Sequence, residues 1–163
     1  EVHLIQLSRG LYSLPDRVVT QQDNLAEVAI KYPNSVFCLL TALQIHGLTT
    51  QSPHQVWLAI DVKARLPRMD YPPLKVVRFS SEALEAGAES VRIDGVVSVL
   101  VTSIEKTIVD CFKYRNKIGH DIAIEALQEA WRSKRMSMDR IWEYATICRV
   151  SNVMRPYLES LNG

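Results

Sequence analysis

Glycine is scarce in this sequence: six residues of 163, well dispersed along the chain. No glycine-rich run can cradle a phosphate, and no dinucleotide-binding fingerprint is present. Cysteine is scarcer still. Cys38, Cys111 and Cys148 form no CxxC pair, and zinc would need tighter spacing with more Cys or His nearby. Each lies in an apolar, helix-like stretch, which points to buried free thiols in a reducing compartment. No serine stands in nucleophile-elbow spacing. A run of about 18 apolar residues is also lacking, so no membrane-spanning helix is expected. No charged-then-apolar leader opens the sequence, and a cytoplasmic protein is the expectation. Neither sign of charge dominates: 19 Lys and Arg face 18 Asp and Glu, a net +1. Such a balance neither demands nor excludes nucleic acid. Hydrophobic residues at 47% and charged residues at 23% fit an ordinary globular chain long enough to bury a core.

The segments present read as α+β. Residues 2–14 alternate apolar positions about Ser8-Arg9-Gly10 and read as a hairpin ended by Pro15. A lone hairpin is barely stable, so a further element N-terminal to Glu1 is expected. Residues 24–32 carry Leu25, Val28, Ala29 and Tyr32 on one helical face. Ser35 is an expected N-cap for a central helix from Val36 to Gly47. Strands are expected at 54–60 and 74–80, with a proline- and cation-rich loop between them and a short helix capped by Ser81 after them. In "VRIDGVVSVLV", Asp94-Gly95 suits a type I′ turn. From Ser103 the period becomes 3.6, giving four helical stripes up to residue 161. Grouped strands between grouped helices predict a small mixed or antiparallel sheet of about four strands, followed by a helical bundle.

Chemistry-bearing candidates are few. "IDVK", residues 60–63, puts an acid-x-Lys at a strand end. Some metal-dependent nucleases use that pair, the acid for Mg²⁺ and the lysine for the attacking water. Such a site needs a second acid, and the neighbouring "KVVRF" offers none. Glu105, Lys106 and Asp110 read as the start of a capped helix with an i,i+4 pair, or as a polar cluster fixing that helix. The four histidines are scattered, and His46 reads as a core or cap residue. Three basic clusters stand out: Lys63, Arg65 and Arg68 on the loop; Lys113, Arg115 and Lys117 with Tyr114; and Arg132, Lys134 and Arg135. Cations at helix C-termini complement the dipole, which accounts for two clusters without a ligand. The other reading is a surface for phosphate or an acidic partner. Helices 104–117 and 120–132 would form a hairpin about Gly119, with their clusters roughly 20 Å apart, too far for one compact site.

"RGLYSLP", "CLLTALQIHGLTTQSPHQVWLAI" and "IEKTIVDCFKYRNKIGHDIAIEAL" together resemble the AbiEi-type antitoxins, transcriptional regulators tied to abortive-infection phage defence. The block 103–127 is the most specific part. The resemblance implies that residues 1–16 are the remnant wing of an N-terminal winged helix-turn-helix and that 17–163 are the C-terminal antitoxin domain. It implies DNA contact by Arg9 and Tyr12 in the wing and promoter binding by the full-length protein. It also implies a nucleotidyltransferase-like toxin as partner, neutralised without needing a lasting complex in every case, with no enzymatic activity, metal or cofactor. Lys63, Arg65, Arg68, Lys113, Tyr114, Arg115 and Lys117 are then the expected contacts to partner or phosphate. Two alternatives stay open. One is a metal-dependent nuclease built on Asp61 and Lys63. The other is a plain domain for homodimerisation through an apolar stripe on helices 139–161.

Overall fold

The computed structural model describes residues 5–8, 11–13, 21–93 and 97–161. Strands β1 (Ile5–Ser8) and β2 (Leu11–Ser13) pair antiparallel, with Gln6 opposite Tyr12. Arg9 and Gly10 of the expected turn lie outside the described residues, as do Asp94 and Gly95 of the second one. Five further strands make one mixed sheet: β3 (Val36–Phe37), β4 (Val56–Asp61), β5 (Leu74–Phe79), β6 (Ala88–Ile93) and β7 (Val97–Thr102), in the order β5-β4-β3-β7-β6. The pairs β3-β7 and β4-β5 are parallel; β3-β4 and β6-β7 are antiparallel. The expected α+β class holds, with five strands in place of four.

The extra strand corrects the reading of residues 35–47. Val36 and Phe37 form the central strand where a helix start was expected, because a short apolar run of β-branched and aromatic residues suits a buried strand as well as a helix. Ser35 does not cap a helix. Its hydroxyl donates to Tyr32 O at 2.7 Å, and helix α2 (Leu39–Ile45) begins after Cys38. Ser80, not Ser81, caps helix α3 (Ser81–Glu85): its hydroxyl accepts Ala83 N–H at 3.2 Å.

Period-two alternation gives the sheet two apolar faces. Phe37, Val56, Leu58, Val99 and Val101 pack with Leu25 and Val28 of helix α1 (Gln21–Lys31). Val36, Trp57, Ala59, Val77 and Phe79 face the larger core. That core is closed by α4 (Ile104–Lys113), α6 (His120–Arg132), α7 (Met138–Ile147) and α8 (Ser151–Leu161). Helix α4 is its spine. Ser103 caps it, accepting Lys106 N–H at 3.2 Å, and every residue from Lys106 to Phe112 is buried. The expected continuous helix 104–117 breaks at Tyr114 (φ −103°), and a four-residue helix α5 (Arg115–Ile118) follows. Gly119 then turns the chain at φ +101°, a conformation that L side chains rarely adopt.

The i,i+4 pair of α4 lies inside the core. Lys106 and Asp110 are 0% and 1% exposed, and the ammonium reaches both carboxylate oxygens at 2.8 and 2.7 Å. The same ammonium sits 4.4 Å from the Phe79 ring centroid, a cation–π contact strengthened by desolvation. Burial pushes the Asp110 carboxyl above its ordinary range, and the Lys106 charge opposes that shift. The Cys148 thiol contacts Asp110 Oδ1 at 3.8 Å. All three cysteines are free and buried. Burial raises the pKa of each, and the Asp110 charge adds to the rise.

Lys106 can lie there only because Gly87 has no side chain. A Cβ at Gly87 would stand 2.6 Å from Lys106 Cβ, and its φ is +75°. Gly87→Ala should therefore lose at least about 2 kcal/mol, combining left-handed strain with overpacking, as read by urea unfolding. Lys106→Met strands a buried carboxylate and should lose about 3–5 kcal/mol, whereas Lys106→Met combined with Asp110→Leu recovers most of that loss. Equal losses in the single and double variants would show that the two charges are not coupled.

Candidate partner-binding surface

The loop after β4 owes its shape to Asp61. One carboxylate oxygen accepts Lys63 N–H at 2.9 Å and the other accepts the Ser81 hydroxyl at 2.5 Å. The Ser81 bond, then the Lys63 N–H, hold the Asp61 carboxyl below its ordinary range. From β5, Arg78 donates to Val62 O at 3.0 Å and to Ala64 O at 2.8 Å. Further along, the Tyr32 hydroxyl donates to Arg68 O at 2.6 Å and accepts Arg68 N–H at 2.8 Å. Backbone groups that would otherwise need water are thus satisfied from within.

The basic side chains of this loop supply none of those hydrogen bonds. Lys63, Arg65 and Arg68 are exposed, and none takes part in an ion pair. Beside them a cavity of about 310 Å³ opens between the end of α1 and the end of β4, with Lys31, Tyr32, Ile60, Asp61, Arg65 and Leu84 in its wall. Lys31 was not singled out in the sequence, and Tyr32 was read only as part of a helical face. The available signal was the Tyr32-Pro33-Asn34 break that ends α1 close to this loop.

The second basic cluster is arranged differently. The Tyr114 ring stacks on Phe79 with centroids 5.9 Å apart, and burial pushes its hydroxyl pKa up to about 12. Arg115 donates to Phe112 O at 2.8 Å and so caps α4. Lys113 and Lys117 remain exposed, with the Lys117 ammonium 5.9 Å from the Tyr114 ring. In the third cluster Arg132 pairs with Glu129, and Arg135 donates to His46 O at 2.6 Å. His46 Nε2 in turn lies 2.7 Å from Thr102 O, matching its expected role at a helix end. Glu105 accepts Ser137 N–H at 2.9 Å, tying α4 to the start of α7.

Arg9 lies outside the described residues, and Tyr12 stands on β2. The apolar stripe expected on helices 139–161 faces inward: Ile141, Tyr144, Ala145, Met154 and Leu158 are all buried. Among the described residues no three His, Cys, Asp or Glu side chains are grouped to hold a metal ion, and no helix is long and apolar enough to cross a membrane. No family model matches the chain, and no curated protein matches it.

Removing the Ser81 hydroxyl tests the arrangement around Asp61. A depressed carboxylate pKa contributes stability that is present above the unfolded value and is lost as pH falls through the folded one. Ser81→Ala should therefore move the Asp61 carboxyl titration, followed by NMR, up toward the ordinary value near about 3.9. It should also shift the acid limb of the stability profile to higher pH. An unmoved titration would mean that Ser81 does not set the Asp61 charge.

Proposed function

We propose that this chain is the partner-binding part of an antitoxin-like transcriptional regulator of the abortive-infection, type IV toxin–antitoxin kind. In this reading it is cytoplasmic and non-enzymatic. The hairpin within residues 1–16 is the wing of a winged helix-turn-helix that brings the full-length protein to promoter DNA, with Arg9 and Tyr12 at the backbone. Residues 17–163 form the antitoxin domain, which meets a nucleotidyltransferase-like toxin.

The observation that carries this reading is the loop at Lys63–Arg68, whose backbone is fastened internally while its cations stay exposed and unpaired. Such a surface is suited to an acidic or phosphate-bearing partner. Block 103–127, which carries the family resemblance, supports the same reading. Its polar residues Lys106, Thr107 and Asp110 are engaged within the core and hold the helix in place. Both Asp61 carboxylate oxygens are likewise engaged locally, which gives the nuclease alternative no added support.

The test is fluorescence anisotropy with DNA from the regulator's own promoter, comparing the full-length protein with this chain at two salt concentrations. The full-length protein should bind specifically and with steep salt dependence, as expected when several phosphates are neutralised, and this chain should bind poorly. If neither binds at low salt, the regulator reading fails.

A further inference from the structure

Loop 62–73 is unusual in what it leaves outside. Its backbone is secured by Tyr32, Asp61 and Arg78, yet Val62 and Leu66 are 50% and 48% exposed. Tyr71 on the same loop and Ile30 on the last turn of α1 are also exposed. Only Trp131 lies elsewhere among the exposed large apolar residues of the described chain, so the apolar surface is concentrated on these two segments.

The concavities adjoin one another as well. The cavity of about 310 Å³ shares Tyr32 and Arg65 with a wider one of about 650 Å³. That one shares Leu66 and Arg68 with a third of about 440 Å³, which reaches Leu74 and Val76 at the start of β5. The three adjoin along the loop, and we treat them as one groove. Five cations stand on the segments that border it: Lys31, Lys63, Arg65, Arg68 and Lys75. The acids nearby are Asp61, whose carboxylate is already engaged, and Asp70 on the loop.

We propose that this groove docks an extended, acidic peptide segment of a protein partner. An aliphatic side chain enters the cavity against Ile60 and Leu84, and carboxylates on either side meet Lys31, Arg65 and Arg68. Extended chains place successive side chains on opposite faces, so alternating acidic and aliphatic residues match a groove with an apolar wall and a cationic rim. Tyr32 is the one aromatic residue in the wall, and its hydroxyl is fastened to the Arg68 backbone. The other apolar residues of the wall are aliphatic or prolyl, among them Ile60, Leu66, Pro67 and Leu84, which offers an aliphatic side chain more contact than it offers a row of stacked bases. Because the loop is already held by its own hydrogen bonds, little ordering is required on binding. This inference rests on the reading that the domain meets a protein partner.

The probe is a short fluorescein-labelled peptide alternating glutamate and leucine, titrated against the chain by anisotropy. A lysine–leucine peptide and an oligothymidylate of similar length serve as comparisons. Saturable binding of the acidic peptide is expected. Arg65→Glu combined with Arg68→Glu should weaken it at least about tenfold while leaving the unfolding midpoint unchanged, because both side chains are exposed. Leu66→Ser should weaken it several-fold. The proposal is overturned if the acidic peptide does not bind, or if the lysine peptide binds equally well. It is also overturned if the charge reversal abolishes oligothymidylate binding or self-association instead. Specific promoter binding by the full-length protein without peptide binding removes this inference and leaves the regulator reading intact; the reverse outcome leaves the groove and removes the regulator.

Discussion

Moving an ammonium and a carboxylate out of water costs several kcal/mol for each ion, and attraction between them offsets that only when the geometry is close and the remaining bonding capacity is met. Lys106 and Asp110 meet this condition through two short contacts, with the Phe79 ring beneath the ammonium and the Cys148 thiol beside the carboxylate. The requirement organises its surroundings. Helix α4 must lie deep enough to keep water from the pair, the sheet must present an aromatic ring at the end of β5, and the chain entering β6 must pass without a side chain at Gly87. A buried pair of this kind adds little net stability, but it penalises any packing in which one member meets an apolar wall.

Much of this fold was legible because its signals are local. The strands at 56–61 and 74–79, the hairpin from Ala88 to Thr102 and the stripes of α4, α6, α7 and α8 follow from periodicity and turn chemistry. β3 was not legible. Two residues are too few for alternation to register, and its place at the centre of the sheet comes from pairing with β4 and β7, far away in sequence. Depth was not legible either. Lys106 and Asp110 at i,i+4 read either as a capped helix start or as a cluster fixing the helix, and spacing does not choose between them; Glu27 carries no sequence signal of burial at all. Yet Glu27 is 1% exposed, both its carboxylate oxygens lack hydrogen-bond partners among the described residues, and burial raises its pKa.

The candidate surface was legible in part. The cations at 63–68 are visible as a cluster, and the structure leaves them exposed. For residues 113–117 the sequence shows charge but not direction. Tyr114 turns inward onto Phe79 and Arg115 folds back on Phe112 O, because a helix that stops there needs its last carbonyls met. Tyr32 could not be found from spacing alone, since its bonds to Arg68 span 36 residues. It brings the end of α1 against the basic loop, and that contact turns a cluster of charges into a groove with walls.

The contact between Gly87 and Lys106 also limits how such a sequence can change over generations. A side chain at position 87 meets the Cβ of residue 106, which any residue but glycine carries, so the backbone there would have to move; losing the lysine abandons Asp110, and an apolar residue at 110 leaves the ammonium without its counter-charge. Each single step passes through a variant whose loss is a large fraction of the few kcal/mol by which ordinary domains stay folded. Three positions spread over 24 residues are therefore bound to one another as a unit of inheritance, and drift at any one of them has to wait for the others.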